Sequence, residues 1–257
     1  MGKASRLKKE RRLTPPPVGK QSTVLSQRAV LLGTVAAVVA IGAIVGVLLA
    51  TRSSPKPPPP ASSPASDKNA PAALVRAADA LNYQPTVEPG VGQMEGKPAS
   101  EAKPPSNPNL RAVGTKAPPF TLKTPEGTSV TLSSYHGKAV LLEFFATWCP
   151  HCAAEAPQLR DIFASLSPSR YAWVAVDAAG EDAAHAFAYH RYFGLTSPVL
   201  LDPGSAAGAL GPVSTRYHVA DYPTLYILDG KGRIAWRSDG EQPDALIERE
   251  LHKAAGA

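Results

Sequence analysis

Ala139-Val-Leu-Leu-Glu-Phe-Phe-Ala-Thr-Trp-Cys-Pro-His-Cys152 decides the reading of this chain. Ala139 to Ala146 is a nearly continuous apolar run of strand length, the signature of a central strand buried on both faces. The strand gives out at Trp148, and a helical pattern runs from Cys149 to about Leu166. Cys149 and Cys152 are the two cysteines of the chain, placed where a strand hands over to a helix. Unpaired N–H groups and a partial positive charge at that helix start favour thiolate over thiol at Cys149. His151, if protonated or donating, adds to this. The spacing lets Cys152 attack a mixed disulfide formed on Cys149, which is the two-step exchange of a dithiol. A structural disulfide between them would close too small a loop to stabilise much. A zinc site would need two further ligands, and His136, His185, His190 and His218 stand at no convincing spacing for it.

Working outward, Pro119–Lys123 and Ser129–Leu132 flank the turn signal Pro125-Glu126-Gly127 and predict a hairpin. Tyr171–Asp177 reads as a second buried strand, Asp182–Phe193 as a helix and Pro198–Leu201 as a short strand. A weak helix precedes His218. Thr224–Leu228, the turn Asp229–Gly232 and Arg233–Arg237 form a second hairpin, and Gln242–Lys253 closes as a helix. The alternation predicts an α/β domain over residues 113–257, with a central mixed sheet flanked by helices.

The rest of the 257 residues is of another kind. Ala29 to Ala50 carries no charge. At ~1.5 Å per residue it makes about 33 Å of helix, enough to cross a bilayer core. Lys3, Arg6, Lys8, Lys9, Arg11, Arg12, Lys20 and Arg28 precede it, with Glu10 the one acid among them. The basic excess behind the chain's formal charge of +6 lies there, so it reads as a topology signal and not as a nucleic-acid surface. Residues 1–28 are expected as a cytoplasmic tail, 29–50 as a single retained transmembrane helix, and everything beyond as extracytoplasmic. Residues 51–112 carry the proline run Pro57–Pro60 and much alanine and serine, and are expected as a disordered linker. Within it Pro71–Leu81 is helix-compatible, and reads as a transient helix in the linker, with a short docked helix as the alternative.

Trp148-Cys-Pro-His-Cys152 after a buried strand and before a helix resembles the active site of the thioredoxin superfamily. Glu143, six residues before Cys149, matches a buried acid that serves the second cysteine as proton acceptor. Pro157 matches a proline that kinks the active-site helix, and Tyr222-Pro223-Thr224 a cis-proline loop that packs on the sulfurs and receives substrate backbone. The first hairpin, the insertion from Asp182 to Leu201, and Glu155 in a Cys-x-x-Glu-x-Pro pattern resemble the membrane-tethered TlpA/ResA branch. The resemblance spans about residues 113–253.

It implies a thioredoxin fold and a thiol–disulfide oxidoreductase with Cys149 as nucleophile and Cys152 as resolving cysteine. Glu143, His151 and Glu155 would assist the chemistry, and Trp148, Pro150, Tyr222, Pro223 and Thr224 would meet the substrate. No cofactor beyond the redox-active disulfide is implied. The implied partners are exported thiol or disulfide proteins and a membrane redox protein that supplies or removes electrons, for instance in cytochrome c biogenesis. Direction stays open: the TlpA/ResA branch commonly reduces, whereas the Pro-His dipeptide is that of DsbA-type oxidants. A Cu(I)-handling module based on the two thiols is the reading from another class.

Overall fold

The run at 139–145 has no polar face because the sheet is covered on both sides. In the computed structural model, which describes residues 70–256 apart from 89, 93 and 207, β3 (Ala139–Phe145) is buried at every position. Side chains alternate across a strand. Val140, Leu142 and Phe144 therefore enter one core with Val174, Val176, Tyr217 and Tyr226. Ala139, Leu141 and Phe145 enter the other, with Cys149, Cys152, Leu159, Tyr189 and Ile247. By the same alternation Glu143 points to the cysteine side.

The sheet has seven strands in the order β2-β1-β5-β4-β3-β6-β7. The hairpin of β1 (Thr121–Lys123) and β2 (Ser129–Thr131) adds antiparallel to β5 (Val199–Leu201). β4 (Tyr171–Asp177) runs parallel to both β5 and β3. β6 (Thr224–Leu228) and β7 (Ile234–Asp239) complete the other side antiparallel. The expected mixed α/β sheet, its first hairpin and its helix-plus-strand insertion are all present.

Four helices belong to the domain: α2 (Pro150–Ser165), α3 (Ala183–Phe193), α4 (Pro212–Arg216) and α5 (Asp244–Ala254). Their ends follow local chemistry. The Asp182 carboxylate accepts the N–H of His185 at 3.0 Å and caps α3, and Gly194 closes it in the left-handed region at φ +62°. α5 starts two residues later than the sequence suggests because Pro243 stands at its N-cap.

One expectation is corrected. Residues 70–112, taken as the second part of a disordered linker, pack along the domain. α1 (Ala72–Ala80) lies on α3 through Ala78, Phe187 and Ala188, with Leu74, Val75, Leu81 and Tyr83 around them. Further on, Asp239 accepts the N–H groups of Ser106 and Asn107 and the Ser106 hydroxyl at 2.6–2.8 Å. Arg111 donates its N–H to the Tyr226 hydroxyl and accepts from Arg237. Proline richness suppresses helix and sheet, but it does not prevent an extended chain from satisfying its backbone against a neighbour. The expected tail, transmembrane helix and linker residues 51–69 lie outside the described residues. Among the described residues no helix is long and apolar enough to cross a membrane.

Candidate active site

Cys149 is the N-cap of α2, and Pro150 follows at the first helical position, where its missing N–H costs nothing. The Cys149 Sγ accepts the N–H of Cys152 at 3.3 Å, one of the helix-start donors that otherwise lack a partner. Both cysteines are free thiols. They differ in depth: Cys149 keeps 4 % exposure at the surface and Cys152 none. The Cys152 thiol above all, then the N–H groups of Cys152 and His151 and the His151 ring, pull the Cys149 thiol down to about 7 against the effect of burial. Burial pushes Cys152 well above the usual thiol range, and the neighbouring Cys149 and Glu143 add to it. One sulfur is prepared to be a thiolate near neutrality, and the other to remain a thiol.

Two carboxyls lie behind the pair. Glu143 is 1 % exposed, accepts Trp173 Nε1 at 2.9 Å, and is pushed up to about 8 by burial. Glu155, one helical turn beyond Cys152, is fully buried and is also pushed well above the carboxylate range by burial. Its Oε1 accepts the N–H of Gln242 at 3.4 Å, and its Oε2 has no protein partner. The sequence leaves Glu155 open between a site residue and a solvated helix glutamate; the packing of α2 against the Gln242 loop places it inside.

The surface around Cys149 holds most of the expected substrate residues. The Tyr222–Pro223 bond is cis, and the Tyr222 carbonyl accepts the Cys149 thiol at 3.6 Å. Trp148 is 52 % exposed and meets the half-buried Tyr222 ring edge-on at 5.7 Å. Pro150 is partly exposed beside them. Thr224 departs from expectation: it is wholly buried, and its hydroxyl donates to the Asp221 carbonyl at 2.6 Å. It ties the proline loop to β6 and offers no surface to a substrate. The His151 ring turns outward, its Nδ1 2.5 Å from Glu241 Oε1.

Several residues of the site carry no sequence signal. Thr147 is clamped from two sides: Glu181 accepts its N–H at 2.7 Å and its hydroxyl, while Tyr83 donates to its carbonyl at 2.7 Å. The Tyr189 hydroxyl donates to the Cys152 carbonyl at 3.0 Å. Tyr83 stands among prolines and polar residues, and nothing in its surroundings in sequence marks it as a contact of the cysteine loop. Tyr83→Phe removes one partly buried hydrogen bond. We expect it to lower stability by about 1 kcal/mol, checked by the urea midpoint; a midpoint identical to wild type would mean that the N-terminal segment does not brace this loop.

The frame has known counterparts. A profile of the AhpC/TSA family matches residues 113–237. The chain is 31 % identical to the thiol-disulfide oxidoreductase ResA of Geobacillus kaustophilus, over 54 % of this chain and 76 % of that protein. It is 37 % identical to the thioredoxin-like protein YneN of Bacillus subtilis, over 54 % and 78 % respectively. The chain belongs to the thioredoxin superfamily as a ResA-like protein. Among solved structures, a putative thiol:disulfide interchange protein DsbE from Chlorobium tepidum superposes with a TM-score of 0.50. Its identity is 26 %, over 56 % of this chain and 99 % of that one. This ResA-like protein is a thiol–disulfide oxidoreductase. The match begins at Val113, so α1, Tyr83 and the segment bound to Asp239 precede the part that the family profile describes.

Proposed function

We propose that this ResA-like protein reduces disulfides of exported proteins outside the cytoplasm, with Cys149 as nucleophile and Cys152 as resolving thiol. The observation that carries this is the division of labour between the sulfurs: the accessible one is drawn towards thiolate, and the buried one is held as thiol in front of a protonatable carboxyl. In the forward direction the Cys149 thiolate attacks one sulfur of a partner disulfide, and the partner's other sulfur leaves as thiolate and takes up a proton. Cys152 then gives its proton to the ionised form of Glu143, which becomes available as the pH approaches about 8, and attacks Cys149; the second partner sulfur leaves as thiolate and takes up a proton, and the Cys149–Cys152 disulfide remains. Two electrons from a membrane dithiol donor return the pair to the reduced state.

Reduction is preferred over oxidation because the frame is that of ResA, and the TlpA/ResA branch that the chain resembles commonly reduces its partners. DsbA-like oxidation is favoured by one feature, His151 between the cysteines. The proposed site of action follows from the uncharged stretch 29–50 as anchor, with the basic residues before it on the cytoplasmic side. Substrate backbone would lie along the Tyr222–Pro223 loop, with Trp148 and Pro150 forming the apolar part of the contact.

The assignment is tested by trapping. Cys152→Ser in the full chain is expected to accumulate mixed disulfides through Cys149, whereas Cys149→Ser is expected to trap nothing. Partners held by Cys149→Ser alone would reverse the roles. The proteins captured, identified by mass spectrometry after reduction, would show whether exported thiol proteins are the substrates.

A further inference from the structure

Glu241 follows β7 in the loop that leads to α5, and nothing in its sequence context marks it. In the fold it joins two segments remote from each other. Its Oε1 lies 2.5 Å from His151 Nδ1 across a separation of 90 residues. Its Oε2 accepts the N–H of Gly92 at 3.0 Å. The side chain is 9 % exposed, against 51 % for His151, so a fixed carboxylate holds a ring that would otherwise turn freely in solvent. Gly92 reaches this position with φ +80°, and a Cβ on it would meet the Ala154 Cβ of α2 at 3.2 Å. The N-terminal segment thus threads between the active-site helix and the Glu241 loop, through a space that a larger residue would fill.

Other charges border the same place. His151 and Glu241 line a cavity of about 460 Å³ together with Lys97, Glu101, Lys103, Asp221 and Asp239. Lys97 is paired with Glu101 at 2.9 Å, and Asp239 is occupied by Ser106 and Asn107. Of the carboxylates lining this cavity, Glu241 is the one in contact with the imidazole.

We propose that Glu241 is a positioning residue of the exchange site, acting through His151 to favour the reduced form of the dithiol. A carboxylate on Nδ1 fixes the ring's orientation and its tautomer. The ring stands two residues after Cys149 at the helix start, where it helps to draw that thiol towards thiolate. Stabilising the thiolate stabilises the dithiol over the disulfide. Glu241 touches neither sulfur. The Pro-His dipeptide thereby becomes an adjustable element, its oxidising bias set by a residue outside the motif and by the Gly92 donor that steadies it.

The inference rests on Cys149 and Cys152 being the redox pair. The test is the equilibrium of the full chain, purified in mild detergent, with glutathione: the protein dithiol and GSSG give the protein disulfide and two GSH, two electrons and two protons passing to glutathione. Glu241→Gln is expected to raise this equilibrium constant about three- to tenfold, equivalent to a potential more negative by about 14–30 mV. In a His151→Gln background the same substitution is expected to change nothing, because a residue that acts through another has no effect once that other is gone. Glu241→Asp, which keeps the charge, is expected to give a smaller rise, and replaces the Gln variant in both backgrounds should that one not fold. No change, a fall, an Asp effect as large as the Gln effect, or an equal rise without His151 overturns the proposal. A wild-type chain that shows no two-electron titration fails the earlier reading of the pair; a titrating chain indifferent to Glu241 fails this inference alone.

Discussion

Glu143→Gln is expected to yield a protein that is more stable than wild type at pH 8 and yet about a hundredfold slower in releasing its mixed disulfide. The two effects share one cause. The Glu143 carboxyl is pushed from 4.5 up to about 8 by burial, so between those values the folded state binds a proton that the unfolded state has lost. Stability then falls as pH rises through this window, fully present below about 4.5 and lost above about 8. At 1.36 kcal/mol per unit the loss is on the order of 3 kcal/mol once relaxation of the site is allowed for. Asp177, 1 % exposed and likewise pushed up to about 8 by burial, loses stability over the same range. Glutamine keeps the acceptor for Trp173 Nε1 and has no charge to bury, so the variant loses one proton's worth of the slope. It also lacks the group proposed to take the Cys152 proton, and general-base assistance contributes about 10²–10⁴-fold. Urea midpoints at pH 5 and pH 8, together with the rate at which a preformed mixed disulfide on Cys149 resolves, check both halves. A variant with the wild-type slope, or with the wild-type rate of resolution, would show that Glu143 does not carry the proton.

Phe145→Ala is expected to cost about 3–5 kcal/mol, the range for deleting a buried phenyl ring, and to lower the midpoint of thermal unfolding by about 10 °C. Phe145 has no exposed surface, and its ring centroid lies 4.6 Å from that of Tyr189, which in turn meets Phe193 at 4.7 Å. Tyr189 is the residue whose hydroxyl holds the Cys152 carbonyl. A cavity left by Phe145 therefore loosens the support of the resolving cysteine as well as the core. Exchange in the surviving folded protein should slow several-fold, measured well below the new melting temperature. A loss of stability below 1 kcal/mol would mean that the Phe145–Tyr189–Phe193 stack collapses to fill the gap.

How far the chain could be read in advance varied with the range over which each feature is set. β3 and β4 were legible because a strand buried on both faces must be apolar at nearly every position, and β6 because the turn Asp229–Gly232 separates two strand-like runs. α2 was legible from the helical pattern that follows the end of the buried strand at Trp148. Glu143 stood out because a carboxyl inside Leu-Leu-Glu-Phe-Phe has no solvent to face. Thr224 departs from its expected place at the surface: it opens β6, which lies between β3 and β7 and is buried at every position, the first included. Residues 70–112 were the larger miss. Proline, alanine and serine forecast little regular structure, and little regular structure is present; what composition does not carry is whether such a chain meets a surface. Tyr83, Gly92, Ser106 and Asn107 each find their partner more than 60 residues away.

By itself, then, the sequence determined the α/β alternation, the dithiol at a strand-to-helix junction and the acid behind it, because these depend on period, turn chemistry and residues near one another in the chain. Only the tertiary structure decided which sulfur is the deeper, that Glu155 is buried, that Thr224 is not a surface residue, and that Tyr83 and Glu241 belong to the site. Depth and partnership are properties of packing: they arise when segments far apart in sequence exclude water from the same space, and a local pattern holds no record of that.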